Sequence, residues 1–187
     1  MMNFFKKLKW LKKQIRWNYK YKKGKWDYMG KENLRYQAIV NQIRETNLNQ
    51  PKILDLGCGY GALNDYLSKE DYGLFLGVDF SSNAIQRANN ANYPNARFQV
   101  EDIHQFVPNE TFDIIIFNEV LYYLEDQMAI VNRFSTYFNA KGFFIFSFYG
   151  GREDLVHELE ENFKLIHKES VQQSESVHWN VCLYQAR

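Results

Sequence analysis

The chain has 187 residues, of which 45% are hydrophobic and 24% are charged, a balance that is typical of a folded domain and excludes a disordered or collagen-like protein. Its net charge of +1 conceals two opposite parts, because residues 1–30 carry ten of the 23 Lys and Arg but a single Asp, for +9, and residues 31–187 carry −8. No apolar run reaches the length of a membrane span, two cysteines do not make a disulfide framework, and the N-terminus lacks the apolar core of a secretory signal. We therefore expect a cytoplasmic protein that can also attach to the inner face of the membrane.

Residues 1–50 are predicted to form a basic, helical arm or lid ahead of the main domain. Helical spacing places two stripes on the first helix, one with Phe4, Leu8, Leu11, Ile15 and Tyr19, the other with Trp10, Trp17 and Tyr21. A second amphipathic helix follows a polar break and carries Leu34, Ala38, Ile39 and Ile43. Three interpretations of the arm stay open: it packs on the domain with its lysines in water, it contacts an anionic membrane through residues 1–25, or, least favoured, it binds nucleic acid.

From residue 51 the chain alternates strand-like and helix-like segments. The predicted strands are 52–57, 74–79, 96–101, 112–118, 142–149, 163–171 and 176–185, and the predicted helices among them are 60–69, 82–91 and 126–138. The connection between the last two strands is too short for a crossover helix, so those strands should pair antiparallel. This pattern predicts an α/β domain over 51–187, with a doubly wound, seven-stranded sheet that is mostly parallel.

The strongest chemical signal is the segment ILDLGCGYG at 53–61, where the first strand ends. Its glycines at 57, 59 and 61 allow a sharp turn and a close approach of the backbone to a ligand. A helix over 60–69 would direct its free N–H groups at that turn. A glycine-rich turn without a ligand is the alternative, but three glycines in five residues would then weaken the fold for no gain.

Two aspartates follow the next two strands. Asp79 ends the second strand, where a carboxylate can accept hydrogen bonds from both hydroxyls of a ribose, and Asp102 follows the third, where an adenine amino group would lie. Each could instead be a cap or a turn residue. The segment GCGYGA also fits a dinucleotide pattern, so a nicotinamide-dependent oxidoreductase stays an alternative. Asp55 argues against it, because its charge would repel a pyrophosphate but would suit a cationic nucleoside.

Four segments together resemble the successive motifs of class I S-adenosylmethionine-dependent methyltransferases: ILDLGCGYG, GVDFSSNAI (77–85), FQVEDI (98–103) and FDIIIFNEVLYYL (112–124). The resemblance covers roughly residues 50–187. It implies a Rossmann-like sheet with strand order 3-2-1-4-5-7-6, in which the seventh strand is antiparallel. It also implies S-adenosylmethionine as the cofactor.

By this resemblance, the cofactor-binding residues are Tyr28, Arg35, Asp55, Gly57, Cys58, Gly59, Asp79, Phe80, Asp102, Ile103 and Asn118. The glycine turn, Asp55 and Asn118 would hold the methionine portion, Asp79 would hold the ribose, and the residues after it would hold the adenine. Tyr28 and Arg35 would close over the cofactor. No metal site is predicted.

The acceptor must lose a proton if it is a hydroxyl or an ammonium, which calls for a base near the end of the fourth strand. The candidate bases are Glu119, Tyr122 and His178. Tyr123 and His157 are further candidates. Each has a plain alternative: the glutamate can cap a helix, the tyrosines can be packing, and the histidines can be solvated.

The turn after the fourth strand indicates the kind of acceptor. It reads NEVL at 118–121, whereas nucleic-acid amino-methyltransferases of this class usually have an N-P-P-Y-like turn there. The stretches 118–126 and 26–36 are instead similar to nodulation-type N-methyltransferases that act on amino sugars. We therefore predict methyl transfer to oxygen or nitrogen of a small molecule or saccharide. A methyltransferase-like binding module without catalysis is the alternative from another functional class.

Overall fold

The computed structural model describes residues 4–25 and 33–187, and within the first helix the described side chains begin at Leu11. One sheet holds all seven strands of the described chain, which are β1 (Lys52–Leu56), β2 (Leu74–Asp79), β3 (Ala96–Val100), β4 (Phe112–Asn118), β5 (Phe138–Tyr149), β6 (Lys164–Ser174) and β7 (Val177–Gln185). Their order is β3-β2-β1-β4-β5-β7-β6, and β7 is antiparallel to both of its neighbours. The predicted fold class and strand order are confirmed.

The helices lie before and between the strands. They are α1 (Phe4–Lys22), α2 (Asn33–Glu45), α3 (Ser82–Asn90), α4 (Gln127–Ser135) and α5 (Glu153–Asn162). One hydrophobic cluster joins α2 and α3 to one face of the sheet, and a second joins α4 and α5 to the other face. Because both faces are covered, the central strands can be apolar along most of their length, as in the buried run of β4.

The helix predicted over 60–69 is wrong. In its place is a single 3-10 turn, Ala62–Asp65, which begins after Gly61 in a left-handed conformation (φ +80°). The backbone N–H groups of Asn64 and Tyr66 bond to carbonyls three residues back, so no α-helical ladder forms. The N-terminus of an α-helix therefore does not face the glycine turn.

Two boundaries in the second half of the chain also differ from the prediction. The helix predicted to reach residue 138 ends at Ser135, and β5 begins at Phe138, four residues before its predicted start. Helix α5 was not predicted. Its apolar pattern in the sequence is short, because only Leu155, Val156 and Leu159 are buried against the sheet.

Helix α1 packs on the start of α3 through polar side chains. Asn18 Oδ1 accepts a hydrogen bond of 2.7 Å from the Ser81 hydroxyl, and Asn18 Nδ2 donates to Ser82 Oγ at 3.1 Å. Gln14 Nε2 donates to the carbonyl of Phe80 at 3.4 Å. None of the helices in the described part of the chain has the length and apolar character needed to cross a bilayer.

The aromatic stripe of α1 is the one that faces the domain. Trp17 and Tyr21 lie against the body, while Leu11, Ile15 and Tyr19 of the other stripe are exposed. Among the described residues, α1 therefore contacts the domain through the aromatic stripe and leaves the longer apolar stripe exposed. The hydrogen bonds of Gln14 and Asn18 explain why this face packs inward, because the two residues lie on the same side of the helix as Trp17 and Tyr21.

Candidate active site

The turn after β1 forms the floor of the site. Gly57 has φ +80°, and its N–H and that of Cys58 both donate to the carbonyl of Val78 on the neighbouring strand. A Cβ on Gly57 would lie 2.6 Å from Cγ2 of Val120. Glycine is therefore required here both by the left-handed backbone and by the side chain that packs across the turn from the end of β4.

Asp79, at the end of β2, holds the glycine turn in place. Its Oδ2 accepts from the N–H of Gly59 at 3.0 Å, and its Oδ1 accepts from the N–H of Ser81 at 2.8 Å. Burial raises the pKa of the Asp79 carboxyl to about 6, and the same backbone donors counteract that rise. The N–H of Gly59 is thus engaged within the protein, while each carboxylate oxygen retains a second lone pair for a ligand.

Asp102 and Ile103 line the same cavity from the loop after β3. Oδ1 of Asp102 accepts from the backbone N–H of His104 at 3.1 Å. Arg133 of α4 fixes this loop, because its guanidinium donates to the carbonyls of Ile103, His104 and Phe106. The loop therefore presents its carboxylate from a stiff backbone.

Asp55 is buried within β1, below the turn. Its Oδ1 has no hydrogen-bond partner among the described residues. Burial, together with the nearby charge of Asp79, raises the pKa of Asp55 to about 7, and the charge of Arg35 opposes this rise. A buried carboxyl oxygen without a partner is costly, so this group needs a further polar contact to complete it.

A hydrogen-bonded group at the end of β4 lies opposite the aspartates. Ser147 of β5 lies 2.8 Å from Oδ1 of Asn118 and 3.0 Å from Oε1 of Glu119, so its hydroxyl proton can reach either oxygen, and it accepts from the N–H of Glu119 at 3.0 Å. The hydroxyl of Tyr122 donates to Oε2 of Glu119 at 2.6 Å. Burial raises the pKa of the Glu119 carboxyl, while Arg35, Tyr122 and Ser147 act to lower it.

Glu119 adopts a backbone conformation that non-glycine residues rarely use, with φ +57°. Such strain persists only where the surroundings hold it, and here the Ser147 hydroxyl bonds both its backbone and its side chain. Arg35, 1% exposed, lies 4.0 Å from Oε2 of Glu119 and stacks on the ring of Trp179. The strained residue is thus one of the three acidic residues that line the cavity.

These groups surround one cavity of about 490 Å³. Its charged lining residues among those described are Arg35, Asp79, Asp102 and Glu119. Its aromatic lining residues are Trp17, Tyr21, Phe80, Tyr122, Tyr123, Tyr149 and Trp179. The remaining lining residues of the cavity are Gly57, Ile103, Asn118, Val120, Leu124 and Val177. With three carboxylates to one guanidinium, the lining favours a cationic ligand, and its size suits a small molecule.

Helix α1 supplies the roof of this cavity. The Trp17 ring meets the Tyr123 ring edge-on, with their centroids 5.8 Å apart. The Tyr21 hydroxyl lies 2.9 Å from the position that a Cβ on Gly59 would take. The roof therefore rests on the glycine turn at one end and on the loop after β4 at the other.

The cavity unites most, but not all, of the residues predicted from the sequence. Arg35, Gly57, Asp79, Phe80, Asp102, Ile103, Asn118, Glu119 and Tyr122 line it, as does Tyr123. Asp55, Cys58 and Gly59 lie in or beneath the turn and outside the lining. Tyr28 lies outside the described residues.

His178 does not face the cavity. Neighbouring residues of a strand point to opposite faces of the sheet, and Val177 and Trp179 take the cavity side of β7. His178 is exposed on the other side, and His157 is exposed on α5. Neither histidine therefore lines the cavity formed by the described residues.

The sequence analysis did not identify several residues of the site. Trp179 and Val177 carried a usable signal, since they alternate along β7 with the polar residues. Trp17 and Tyr21 also carried one, as members of the aromatic stripe. Ser147, which lies behind the lining, carried none, because it is a single hydroxyl within an apolar strand and meets Asn118 and Glu119 only through the pairing of β5 with β4.

Comparison with known proteins agrees with this geometry. A family model described as a methyltransferase domain matches residues 48–186. Human mitochondrial arginine-hydroxylase NDUFAF5 is 29% identical over 147 residues, which are 78% of this chain and 41% of that protein. The malonyl-[acyl-carrier protein] O-methyltransferase of Bacillus anthracis is 30% identical over 131 residues, which are 67% of this chain and 46% of that protein. The chain thus spans less than half the length of these two relatives.

The fold is shared with a solved enzyme structure. N-methyltransferase NodS from Bradyrhizobium japonicum WM9 superposes with a TM-score of 0.72 at 23% identity, over 83% of this chain and 96% of that one. Since the family model covers most of the chain and the strand order is the one predicted from the four motifs, this chain belongs to the methyltransferase-domain family and has the fold of class I, S-adenosylmethionine-dependent methyltransferases.

Proposed function

We propose that this chain transfers the methyl group of S-adenosylmethionine to nitrogen or oxygen of a small molecule or a saccharide. The observation that carries the proposal is the position of the Glu119 carboxylate, which faces a cavity whose other wall holds Asp79 and Asp102. One wall suits a cationic nucleoside, and the opposite wall offers a base to an acceptor. N-methyltransferase NodS, which shares the fold, was solved with S-adenosyl-L-homocysteine, the demethylated form of the proposed cofactor.

The residues of the site fit the cofactor. S-adenosylmethionine carries a sulfonium, an ammonium and one carboxylate, and the lining offers three carboxylates and the guanidinium of Arg35. The unsatisfied Oδ1 of buried Asp55 is the kind of group that a bound ammonium would complete, directly or through water. Asp79 would hold the ribose hydroxyls with its remaining lone pairs, and Asp102 with Ile103 would hold the adenine.

The protein's own contribution is to position the acceptor and remove its proton. When bound, the cofactor supplies a methyl group that its sulfonium has already activated for in-line displacement. Glu119 accepts the acceptor's proton at one of its carboxylate oxygens, while Tyr122 and Ser147 hold that carboxylate in place. The aromatic roof and walls exclude water, which strengthens these interactions.

The composition of the outer cavity supports a small acceptor. Tyr149, Trp179 and Val177 line it from the antiparallel end of the sheet, and the connection from β5 to β6 holds only the ten-residue helix α5. Aromatic rings offer flat apolar faces to an aromatic ring or to the C–H face of a sugar. No nucleic-acid acceptor is proposed, since three of the four charged lining residues are acidic.

Two measurements test the proposal. Calorimetry with S-adenosylmethionine and S-adenosylhomocysteine should show binding to the wild-type chain, and Asp79→Asn should lower the affinity at least tenfold, since it exchanges an acceptor oxygen for a donor beside the N–H of Gly59. Asp154→Asn, on the exposed surface of α5, is the matched control. The absence of binding to the wild-type chain would refute the cofactor assignment.

Turnover requires a panel of acceptors that includes amino sugars, aryl amines and phenols, with labelled methyl transfer as the readout. Labelled product from any of them establishes the reaction. Tight cofactor binding without product across the panel would instead favour the binding-module alternative. Transfer of a labelled methyl group also distinguishes this chain from a relative that carries the name of a hydroxylase.

A further inference from the structure

Helix α1 has two faces in different surroundings. Gln14, Trp17, Asn18 and Tyr21 lie on the face that contacts the domain. Leu11, Ile15 and Tyr19 lie on another face and are 45%, 59% and 56% exposed. From this arrangement we propose that α1 attaches the protein to the surface of an anionic lipid bilayer.

The exposed residues form a continuous apolar stripe. Leu11, Ile15 and Tyr19 are four residues apart, so they follow one line along the helix. In the sequence, Leu8 and Phe4 extend this pattern at helical spacing, three and seven residues before Leu11. A single exposed leucine is common on a protein surface, but a row of large apolar side chains on one helix face needs an apolar partner.

Cations flank the stripe on the side away from the domain. Lys12, Arg16 and Lys23 are exposed there, about a quarter turn around the helix from the stripe. Residues 1–30 carry +9, while the remainder of the chain carries −8. The arm is thus the cationic part of an otherwise acidic protein, so a negatively charged surface attracts this end and repels the body.

A bilayer satisfies both features of this face together. An amphipathic helix in the plane of the interface buries its apolar row at the boundary of headgroups and acyl chains, and its lysines and arginines contact lipid phosphates. Nucleic acid would meet the cations but would leave Leu11 and Ile15 in water. The lipid surface then lies on the outer side of the helix that roofs the cavity.

The test uses the full chain and sedimentation with vesicles. The wild-type chain should sediment with vesicles of phosphatidylcholine and phosphatidylglycerol far more than with phosphatidylcholine alone, and added salt should weaken the binding. Lys12→Gln with Arg16→Gln should lower the partition coefficient by roughly thirtyfold, since each cation near such a surface contributes about 1 kcal/mol. Leu11→Ser with Ile15→Ser should lower it at least as much, because it removes the apolar row.

Matched variants on the body control for charge and exposure. Lys141→Gln with Lys164→Gln removes the same charge from exposed positions outside α1, and Val107→Ser removes an apolar side chain that is 68% exposed. Neither should change vesicle binding. All variants should keep the wild-type affinity for S-adenosylhomocysteine, which shows that the cavity is intact.

Three outcomes would overturn the proposal. The wild-type chain could fail to sediment with the anionic vesicles, the α1 variants could lose no more binding than the body controls, or the arm could bind RNA or a second copy of the chain while leaving vesicles untouched. None of these outcomes depends on methyl transfer, so the lipid proposal and the enzymatic proposal fail separately.

Discussion

The hydroxyl of Tyr122 donates a hydrogen bond of 2.6 Å to Oε2 of Glu119, three residues earlier in the chain. Burial and the neighbouring Glu119 carboxylate raise the pKa of Tyr122 above its usual value, so the tyrosine is the donor of this pair. Ser147 approaches the second carboxylate oxygen from β5. The two side chains thereby fix a strained residue in the lining of the cavity.

Glu119→Gln should lower kcat about 100-fold, because a positioned general base contributes at least that much to proton removal. Gln keeps the shape of the side chain and an oxygen that can accept from Tyr122, so the affinity for S-adenosylhomocysteine should not change. Glu175→Gln, in the exposed turn between β6 and β7, is the control. An unchanged kcat in Glu119→Gln would show that the acceptor loses its proton elsewhere.

Tyr122→Phe should move the ascending limb of the pH profile of kcat/KM to higher pH. The Tyr122 hydrogen bond lowers the pKa of Glu119, so its removal raises that pKa and leaves less carboxylate at a given pH. Above the limb, the rate should return close to the wild-type value. Tyr149→Phe also alters a cavity tyrosine, but its hydroxyl donates to the Ser176 carbonyl, so its limb should stay in place. Equal displacement of both limbs would contradict the assignment.

Gly57→Ala should lower cofactor affinity at least tenfold, measured by calorimetry. An alanine here must adopt a left-handed backbone, which costs roughly 1 kcal/mol. Its Cβ must also displace Val120 from the wall of the cavity. Gly150→Ala is a matched control, because Gly150 also has a positive φ (+68°) but has nothing within 4 Å of its Cβ position. If the two variants bind the cofactor equally, the packing across the turn is not important.

Asn18→Ala should lower the affinity for S-adenosylhomocysteine about fivefold or more and speed its dissociation. The substitution removes two hydrogen bonds that join α1 to Ser81 and Ser82, and each contributes about 0.5–1.5 kcal/mol. Ile15→Ala lies on the same helix but on the exposed face, and it should change neither quantity. Wild-type dissociation from the Asn18 variant would show that the roof closes without this contact.

Asp55→Asn should stabilise the cofactor-free protein in a pH-dependent way. The pKa of Asp55 rises from 3.8 to about 7 on folding, so between these values the folded state holds more protons than the unfolded state and stability falls as pH rises. The variant lacks this loss, so its gain in the free energy of unfolding should be of order 2–4 kcal/mol near pH 8 and small near pH 4. Denaturant titrations measure both, and equal gains at the two pH values would contradict the assignment.

The same substitution should weaken S-adenosylmethionine binding, because it removes the buried negative charge that a cationic ligand would complete. S-adenosylhomocysteine keeps the ammonium that Asp55 would hold, so its affinity should fall by a similar factor. Stability gained together with affinity lost would identify Asp55 as a group retained for binding.

The sequence by itself determined the sheet and the acidic wall of the cavity. Long apolar runs predict central parallel strands, and such a sheet brings the carboxyl ends of its strands to one edge. Asp102, Asp79 and Asn118 lie at the ends of β3, β2 and β4, and β1 with its glycine turn lies between β2 and β4, so their meeting at one cavity follows from the strand order. The local sequence pattern was sufficient to predict this edge because backbone hydrogen bonds between neighbouring strands fix how the strands align.

Only the tertiary structure decided the acceptor side and the role of the arm. Periodicity states which residues share a face, but it does not state which face meets the body. On β7 that choice placed Trp179 in the cavity and His178 outside it, and on α1 it turned Trp17 inward and Ile15 outward. Each segment has two faces that could meet the body. The hydrogen bonds of Asn18 to the start of α3 decide the face of α1, and the pairing of β7 with β5 decides the face of β7. Both are contacts between residues far apart in the chain.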